Sequence, residues 1–486
     1  MIVTTQSTKA EKIMTQINIS ETLKQIDVYI EARMIRMSAF SFDERQSGSL
    51  EKESLLAFFD ASSDEELLSK LLEIMDFFKY DIDLWIQEAN YRKLVQDKSN
   101  FFMNQSKGFP VDFDLLLKVL GNSFDICKMA ALEANELIPD LFQINHIYKS
   151  IKVKREVLRE AFPSLDQDFE LQETIAGFKY HPKFNKIYLA KNTADNLLGK
   201  VAKQLPNLLN QNHIKTQDHV YSTITGRNAP KTTEGFLLNC HPWIRTLIKP
   251  QPGQAFIKFD WVGQESWVMA VLSGDDKLLQ GYQNGDVYCY VGHHLGLIPE
   301  GATREDYPDE RDLAKQLQLG ISYGQGKNSL SIRVQDGDIL ALKHRQVFTQ
   351  YWNWVNDTIH TSFEKTYYKT RDGWLYFLPP STSKHLMYNA PIQSEAAGLM
   401  RSALMLIDPR VTVVATHYDA LYVTCDISQI DYMVSYIIEV MNTAAHNYFG
   451  VNHHPYVKPE IFTSNYIDPR GVDFFKKVNT LSIPTV

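Results

Sequence analysis

The chain has 486 residues, 44% of them hydrophobic and 22% charged, with a formal net charge of -8. Such a length allows two or three domains with sizeable cores, and the composition is that of an ordinary globular protein. The acidic balance argues against a nucleic-acid binder, since such proteins usually carry a basic excess, although one basic groove can coexist with an acidic exterior.

The first residues, MIVTTQSTKAEKIMTQINIS, lack the apolar core of a signal peptide, and no apolar run reaches membrane-spanning length. A soluble, cytoplasmic chain with no membrane partner is expected. The four cysteines (Cys127, Cys240, Cys289, Cys425) are scattered and form no CxxC pair, so neither a zinc knuckle nor a disulfide framework is expected. Residues 1–175 read mostly as helix. In SSDEELLSKLLEIMDFF, Ser62 with Glu65 and Ser63 with Glu66 are capping-box candidates, and Leu67, Leu68, Leu71, Leu72 and Met75 follow at helical spacing. KGFPVDFDLLLKVL opens a new unit, punctuated by Gly108 and Pro110, with Asp112 placed to cap the next helix.

From about 176 to 215 the local charge turns basic: Lys179, Lys183, Lys186, Lys191, Lys200 and Lys203 face only Asp195. That pattern suits a solvated helical face or a surface that tracks phosphates. In QAFIKFDWVGQESWVMAVLSGD, Phe256, Ile257 and Phe259 predict a strand ending at Asp260, and QESWVMAVLSG predicts a helix. Residues 276–388 read as largely helical. Within them, RDLAKQLQLGISYGQG spaces Arg311, Lys315, Leu319 and Tyr323 four apart, a stripe running from two cations to an apolar residue and a ring. An amphipathic surface helix has this pattern, and so does a helix that grips a triphosphate and stacks on its base. Finally, RVTVVATHYDALYVTCD is β-branched on both sides of a short turn carrying Asp419. Alone, either aspartate is more often a turn or cap residue. Together, two strand-end carboxylates far apart in sequence are what a pair of magnesium ions about 4 Å apart requires.

Six stretches, in order over residues 220–426, resemble the DNA polymerase I-type (family A) DNA polymerases. TITGRNAP is similar to the family's T-G-R segment, and DWVGQESWVMAVLSGD to its first palm motif, matching at Asp260 and Glu265. QNGDVY is similar to phage-type members. Arg311, Lys315, Leu319, Gly320, Tyr323 and Gly324 stand in register with the fingers helix, NAPIQSEAAGLM with the N-x-P-x-Q segment, and HYDALYV with the last motif. The resemblance implies an α+β right hand: an antiparallel-sheet palm with helical fingers and thumb, after a mostly helical N-terminal region. The implied divisions are 1–90 for that region, 91–224 for the thumb, 225–275 and 389–486 for the palm and C-terminal tail, and 276–388 for the fingers.

It also implies template-directed DNA synthesis in replication. Asp260 and Asp419 would hold two Mg2+ ions, with Mn2+ as a possible substitute. Arg311 and Lys315 would grip the dNTP triphosphate, and Lys315 would protonate the leaving pyrophosphate. Glu265 would crowd a ribose 2′-hydroxyl, Tyr288 and Leu319 would lie near the nucleotide, and Tyr323 would bear on the nascent pair. Arg227, Asn389 and Gln393 would contact the minor groove of primer-template DNA, and Lys179, Lys183 and Lys186 its phosphates. Leu319, Tyr418 and Ala420 depart from the family pattern, as do Val262, Gly263 and the arginine-poor DGWLYFLPP. KYDIDLW offers Asp81 and Asp83, which a surface helix or turn explains, so no 3′-5′ exonuclease is expected in the chain, and a separate exonuclease or processivity subunit becomes a candidate partner. Two other readings are a single-subunit RNA polymerase, disfavoured by Glu265 and the T-G-R segment, and a catalytically impaired primer-template-binding scaffold, suggested by the altered motif at Asp419.

Overall fold

In the computed structural model the described residues are 17–39, 52–163, 165, 170–178, 183–195, 197–198, 213–214, 218–230, 242–326, 330, 334, 336–469 and 472. Lys179, Lys200, Lys203 and Cys240 lie outside them.

The N-terminal helices follow local signals. Ser63 caps the helix Asp64–Phe77, its hydroxyl accepting from the Glu66 amide at 3.2 Å. Glu66 in return accepts from the Ser62 amide at 2.8 Å and its hydroxyl at 2.7 Å, so one glutamate serves both serines. Helix α1 (Ile82–Gln105) is capped by Asp81, which accepts from the Leu84 amide at 2.9 Å. Leu67, Leu68, Leu71, Leu72 and Met75 are buried as their spacing requires. Their core includes Ile30, Ile35 and Trp85, and also Trp374, Leu375 and Phe377. The last three belong to the antiparallel hairpin of Tyr367–Lys369 and Leu375–Phe377, which thus packs on the N-terminal helices. A fully buried ion pair joins Arg92 to Glu31 at 2.7 Å in the same joint, and Arg92 also donates to the Gly373 carbonyl.

The region read as the thumb has helices Ser123–Asn135 and Asn185–Ala194 and a hairpin of Phe142–Asn145 with Ser150–Val153. Leu141, Leu158, Ile175, Phe178 and Ile187 form its separate core.

A four-stranded antiparallel sheet positions the site. β1 (Gln254–Trp261), β2 (Thr412–His417), β3 (Ala420–Asp426) and β4 (Val457–Phe462) lie in the order β2-β3-β1-β4. Strand alternation divides β1 between two cores. Ala255, Ile257, Phe259 and Trp261 enter the largest core, whereas Phe256 joins Phe109, Leu116, Leu247 and Tyr422 on the opposite face. The helices concerned are α2 (Gln264–Ser273), α3 (Val287–Leu295), α4 (Pro308–Ser322), α5 (Leu386–Leu406) and α6 (Ile430–Phe449). α5 and α6 pack closely because Gly398 has no Cβ: one built there would stand 1.9 Å from the Tyr448 hydroxyl. The architecture is α+β, helices around small antiparallel sheets. Among the described residues no helix is long and apolar enough to cross a membrane.

Candidate active site

β3 runs antiparallel to β1 with Ala420 opposite Asp260, so the two turn residues Tyr418 and Asp419 lie just past the end of the register. The Trp261 amide donates to the Asp419 carbonyl at 3.2 Å, fixing the turn against β1. Tyr418 takes φ +55°, a left-handed conformation that is costly for a residue with a Cβ and is held by the paired strands on either side. The turn therefore brings together two carboxylates more than 150 residues apart in sequence. Burial first, and then the Asp260 carboxylate, push the Asp419 carboxyl up to about 7; Glu265 adds to the rise and Lys258 opposes it. Lys258 holds Asp260, its Nζ 2.7 Å from Oδ2.

Two carboxylates that repel each other at strand ends fit a hard divalent cation, which would relieve the repulsion. Among the described residues no three His, Cys, Asp or Glu side chains are grouped to hold a metal by themselves. Any ion at Asp260 and Asp419 would thus draw further ligands from water, backbone or substrate.

α2 begins at Gly263, whose φ of +63° turns the chain sharply after β1, and it places Glu265 in its first turn. Glu265 accepts a hydrogen bond from Arg227, whose guanidinium lies 5.4 Å from the Tyr418 ring centroid. The Tyr323 hydroxyl is held well above an ordinary phenol by burial and then by Glu265. Arg227, Glu265, Tyr323 and Tyr418 thus form one cluster, in which Glu265 acts on Asp419.

The stripe on α4 is real but rotates. Four residues exceed one turn by about 40°, so Arg311 and Tyr323 point roughly 120° apart. Arg311 is buried, Lys315 is exposed, Leu319 packs against the main core, and Tyr323 lies one residue past the helix end. Tyr288 of α3 sits beneath the cations, its ring centroid 4.7 Å from the Arg311 guanidinium and 5.4 Å from Lys315 Nζ. Asp286 organises this corner and had no role in the sequence reading. One of its oxygens caps α3, accepting from the Tyr288 amide at 2.9 Å, and the other accepts from Arg311 Nε at 2.9 Å.

The turn Thr223–Asn228 is tied down from three sides. The Thr223 hydroxyl accepts from the Arg227 amide at 2.9 Å, and Asn228 donates to the Thr416 hydroxyl of β2. Arg401 of α5 donates to the Gly226 carbonyl at 2.6 Å while paired with Asp372 at 2.5 Å. Gly226 has φ +69°, and an added Cβ would stand 3.0 Å from Trp374 and 3.1 Å from Arg401, so the position requires glycine. Asn389 and Gln393 lie one turn apart on α5, and the buried Asn389 Oδ1 has no hydrogen-bond partner among the described residues. Lys183 and Lys186 are exposed where the helix Asn185–Ala194 begins.

The profile of the family described as DNA polymerase family A matches residues 143–456. The chain is 24% identical over 280 residues to the thermostable DNA polymerase I of Thermus thermophilus, covering 53% of this chain and 30% of that protein. The DNA polymerase I of Pseudomonas aeruginosa is 26% identical over 270 residues, covering 50% and 27%. The chain therefore spans less than a third of the length of these curated relatives. Among solved structures, the POL domain of Pol1 from M. smegmatis, in complex with DNA primer-template and dNTP, superposes with a TM-score of 0.66. That match has 17% identity over 90% of this chain and 81% of the other, a likeness of fold. With the family profile spanning well over half of its residues, the chain belongs to DNA polymerase family A.

Proposed function

We propose that the chain extends a primer 3′-hydroxyl with dNTPs, as directed by a template strand, during DNA replication. The carrying observation is the meeting of Asp260 and Asp419 at adjoining strand ends, with the Asp419 carboxyl pushed up to about 7 by burial and by its partner. The family, the DNA polymerase I relatives and the primer-template and dNTP bound by the M. smegmatis neighbour support this reading.

In this reading Asp260 and Asp419 hold two divalent ions, Mg2+ with Mn2+ as a substitute. When bound, such ions lower the pKa of an attacking hydroxyl and neutralise charge on the triphosphate and leaving group. Arg311 and Lys315 grip the triphosphate, Arg311 exchanging Asp286 and Asp312 for phosphate oxygens. The exposed Lys315 is the cation free to donate a proton to departing pyrophosphate. Tyr288 reaches from this corner to the start of α2, its hydroxyl 3.7 Å from where a Cβ on Gly263 would stand. Glu265, anchored by Arg227, crowds a ribose 2′-hydroxyl and selects deoxynucleotides. Tyr323 bears on the nascent pair, while Arg227, Asn389 and Gln393 contact minor-groove acceptors present on every correct pair. The unpartnered Asn389 Oδ1 shows that the Asn389 side chain still has unused hydrogen-bonding capacity. Alignment and charge neutralisation, more than covalent chemistry, are what phosphoryl transfer asks of a protein.

Primer extension with dNTPs and with NTPs, on the wild type and Asp419→Ala, tests the proposal. Extension with dNTPs alone, lost in the variant, is the expected result. Extension unchanged by Asp419→Ala overturns the ion assignment, NTP incorporation at an equal rate indicates an RNA polymerase, and DNA binding without extension indicates a scaffold.

A further inference from the structure

Strand alternation places Lys258 on the same face of β1 as Asp260, two residues away. Its ammonium lies 2.7 Å from Asp260 Oδ2, and its side chain is only 12% exposed against 32% for Asp260. The site therefore already contains a cation bonded to one of its two carboxylates, and that cation is itself largely buried. Across the neighbouring strands Lys258 faces Tyr422 on β3 and Glu460 on β4. Glu460 accepts from the Tyr466 hydroxyl at 2.6 Å through Oε1, while the ammonium is turned towards Asp260. A lysine is a point charge on a flexible four-carbon stem, so it can leave one carboxylate for another without moving the strand.

We propose that Lys258 is a resident counter-cation of the carboxylate pair, which competes with a divalent ion for Asp260 and keeps ion affinity low until a triphosphate arrives. This rests on the assignment of Asp260 and Asp419 as ion ligands made above. The physical argument is one of charge. The ammonium neutralises half of the charge that attracts the ion, and it blocks one of the oxygens the ion needs. If displaced, it remains nearby as a positive charge that repels the ion. An incoming triphosphate supplies the negative charge that offsets this repulsion, so ion occupancy becomes tied to nucleotide occupancy.

The test is Mn2+ binding to the full chain, read by equilibrium dialysis as the excess Mn2+ on the protein side so that ion chelated by free dNTP cancels, with no DNA present. Without nucleotide, Lys258→Met is expected to bind Mn2+ about tenfold more tightly than wild type, the scale of a partly buried ion pair, and Lys258→Arg to stay within about twofold. With a saturating dNTP the difference between Lys258→Met and wild type is expected to shrink to about twofold or less. Equal or weaker binding by Lys258→Met overturns the proposal, as does a tenfold difference that persists with dNTP. Lys258→Gln, judged by the same criteria, replaces Lys258→Met if the latter does not fold. Asp260→Asn serves as the separate control: if it leaves Mn2+ binding intact, the ion assignment itself fails, independently of Lys258.

Discussion

Asp419→Asn should make the ion-free protein more stable, and more so at alkaline pH. The carboxyl has an ordinary value of 3.8 and a folded value of about 7. Because the folded value is raised, the native state binds more protons than the unfolded chain between about pH 4 and pH 7, and stability falls as pH rises through that window. A three-unit shift is worth roughly 4 kcal/mol at pH 8, where the native carboxylate must be ionised, and about 2 kcal/mol at pH 5, where it is still protonated. An asparagine carries no such charge, although its buried amide needs partners of its own, so a gain of about 2 kcal/mol at pH 8 and little at pH 5 is expected. Urea unfolding of both proteins at the two pH values, with chelator present, measures the difference. Added Mg2+ should stabilise the wild type at pH 8 and have much less effect on the variant. A gain that is equal at pH 5 and pH 8, or a variant less stable at both, would refute the account of charge repulsion at the turn.

Gly398→Ala should cost about 2–3 kcal/mol, because the new methyl displaces the Tyr448 hydroxyl from its 2.7 Å bond to Glu395; adding Tyr448→Phe should recover part of that loss in the same unfolding assay. Arg92→Met should cost about 3–5 kcal/mol by leaving Glu31 charged and buried, seen as faster proteolysis of the N-terminal helices, with Glu31→Gln in addition restoring much of it. Arg311→Ala should raise the dNTP KM by on the order of tenfold or more in primer extension, a loss of about 1.5–3 kcal/mol from charge-assisted hydrogen bonds, while leaving primer-template affinity within about twofold.

What could be read from the sequence depended on how local the signal was. Asp260 and Asp419 stand beside β-branched and aromatic runs that announce their strands, and the capping serines lie within one turn of their partner. Lys258 was equally legible, since alternation alone puts it on the same face as Asp260, and Asp286 sits where a helix cap would be sought, directly before Val287. The end of α4 was less so. Tyr323 continues the four-residue spacing, but Gly324, with φ +74° and Tyr388 pressed 2.8 Å from its missing Cβ, stops the helix first. Nothing local marks Arg401 as the support of the Gly226 carbonyl 175 residues earlier, or Glu395 as a buried acceptor for Tyr368 and Tyr448. Those links arise from tertiary packing between distant segments, and no period in the sequence carries them.

The joint around Arg92 has a consequence for how the chain is made. Its bond to Gly373 spans 281 residues, and the Leu375 amide that donates to the Met34 sulfur lies 341 residues further along. At a synthesis rate of roughly 5–20 residues per second, the N-terminal helices leave the ribosome about a quarter of a minute to a minute before that hairpin exists. During that interval Trp85, Leu71 and their neighbours can gather, but the face destined for Trp374 and Phe377 has nothing to cover it. Completion of the N-terminal region is thus a late event in biosynthesis: its apolar face stays uncovered until the hairpin, 281 residues after Arg92, has emerged.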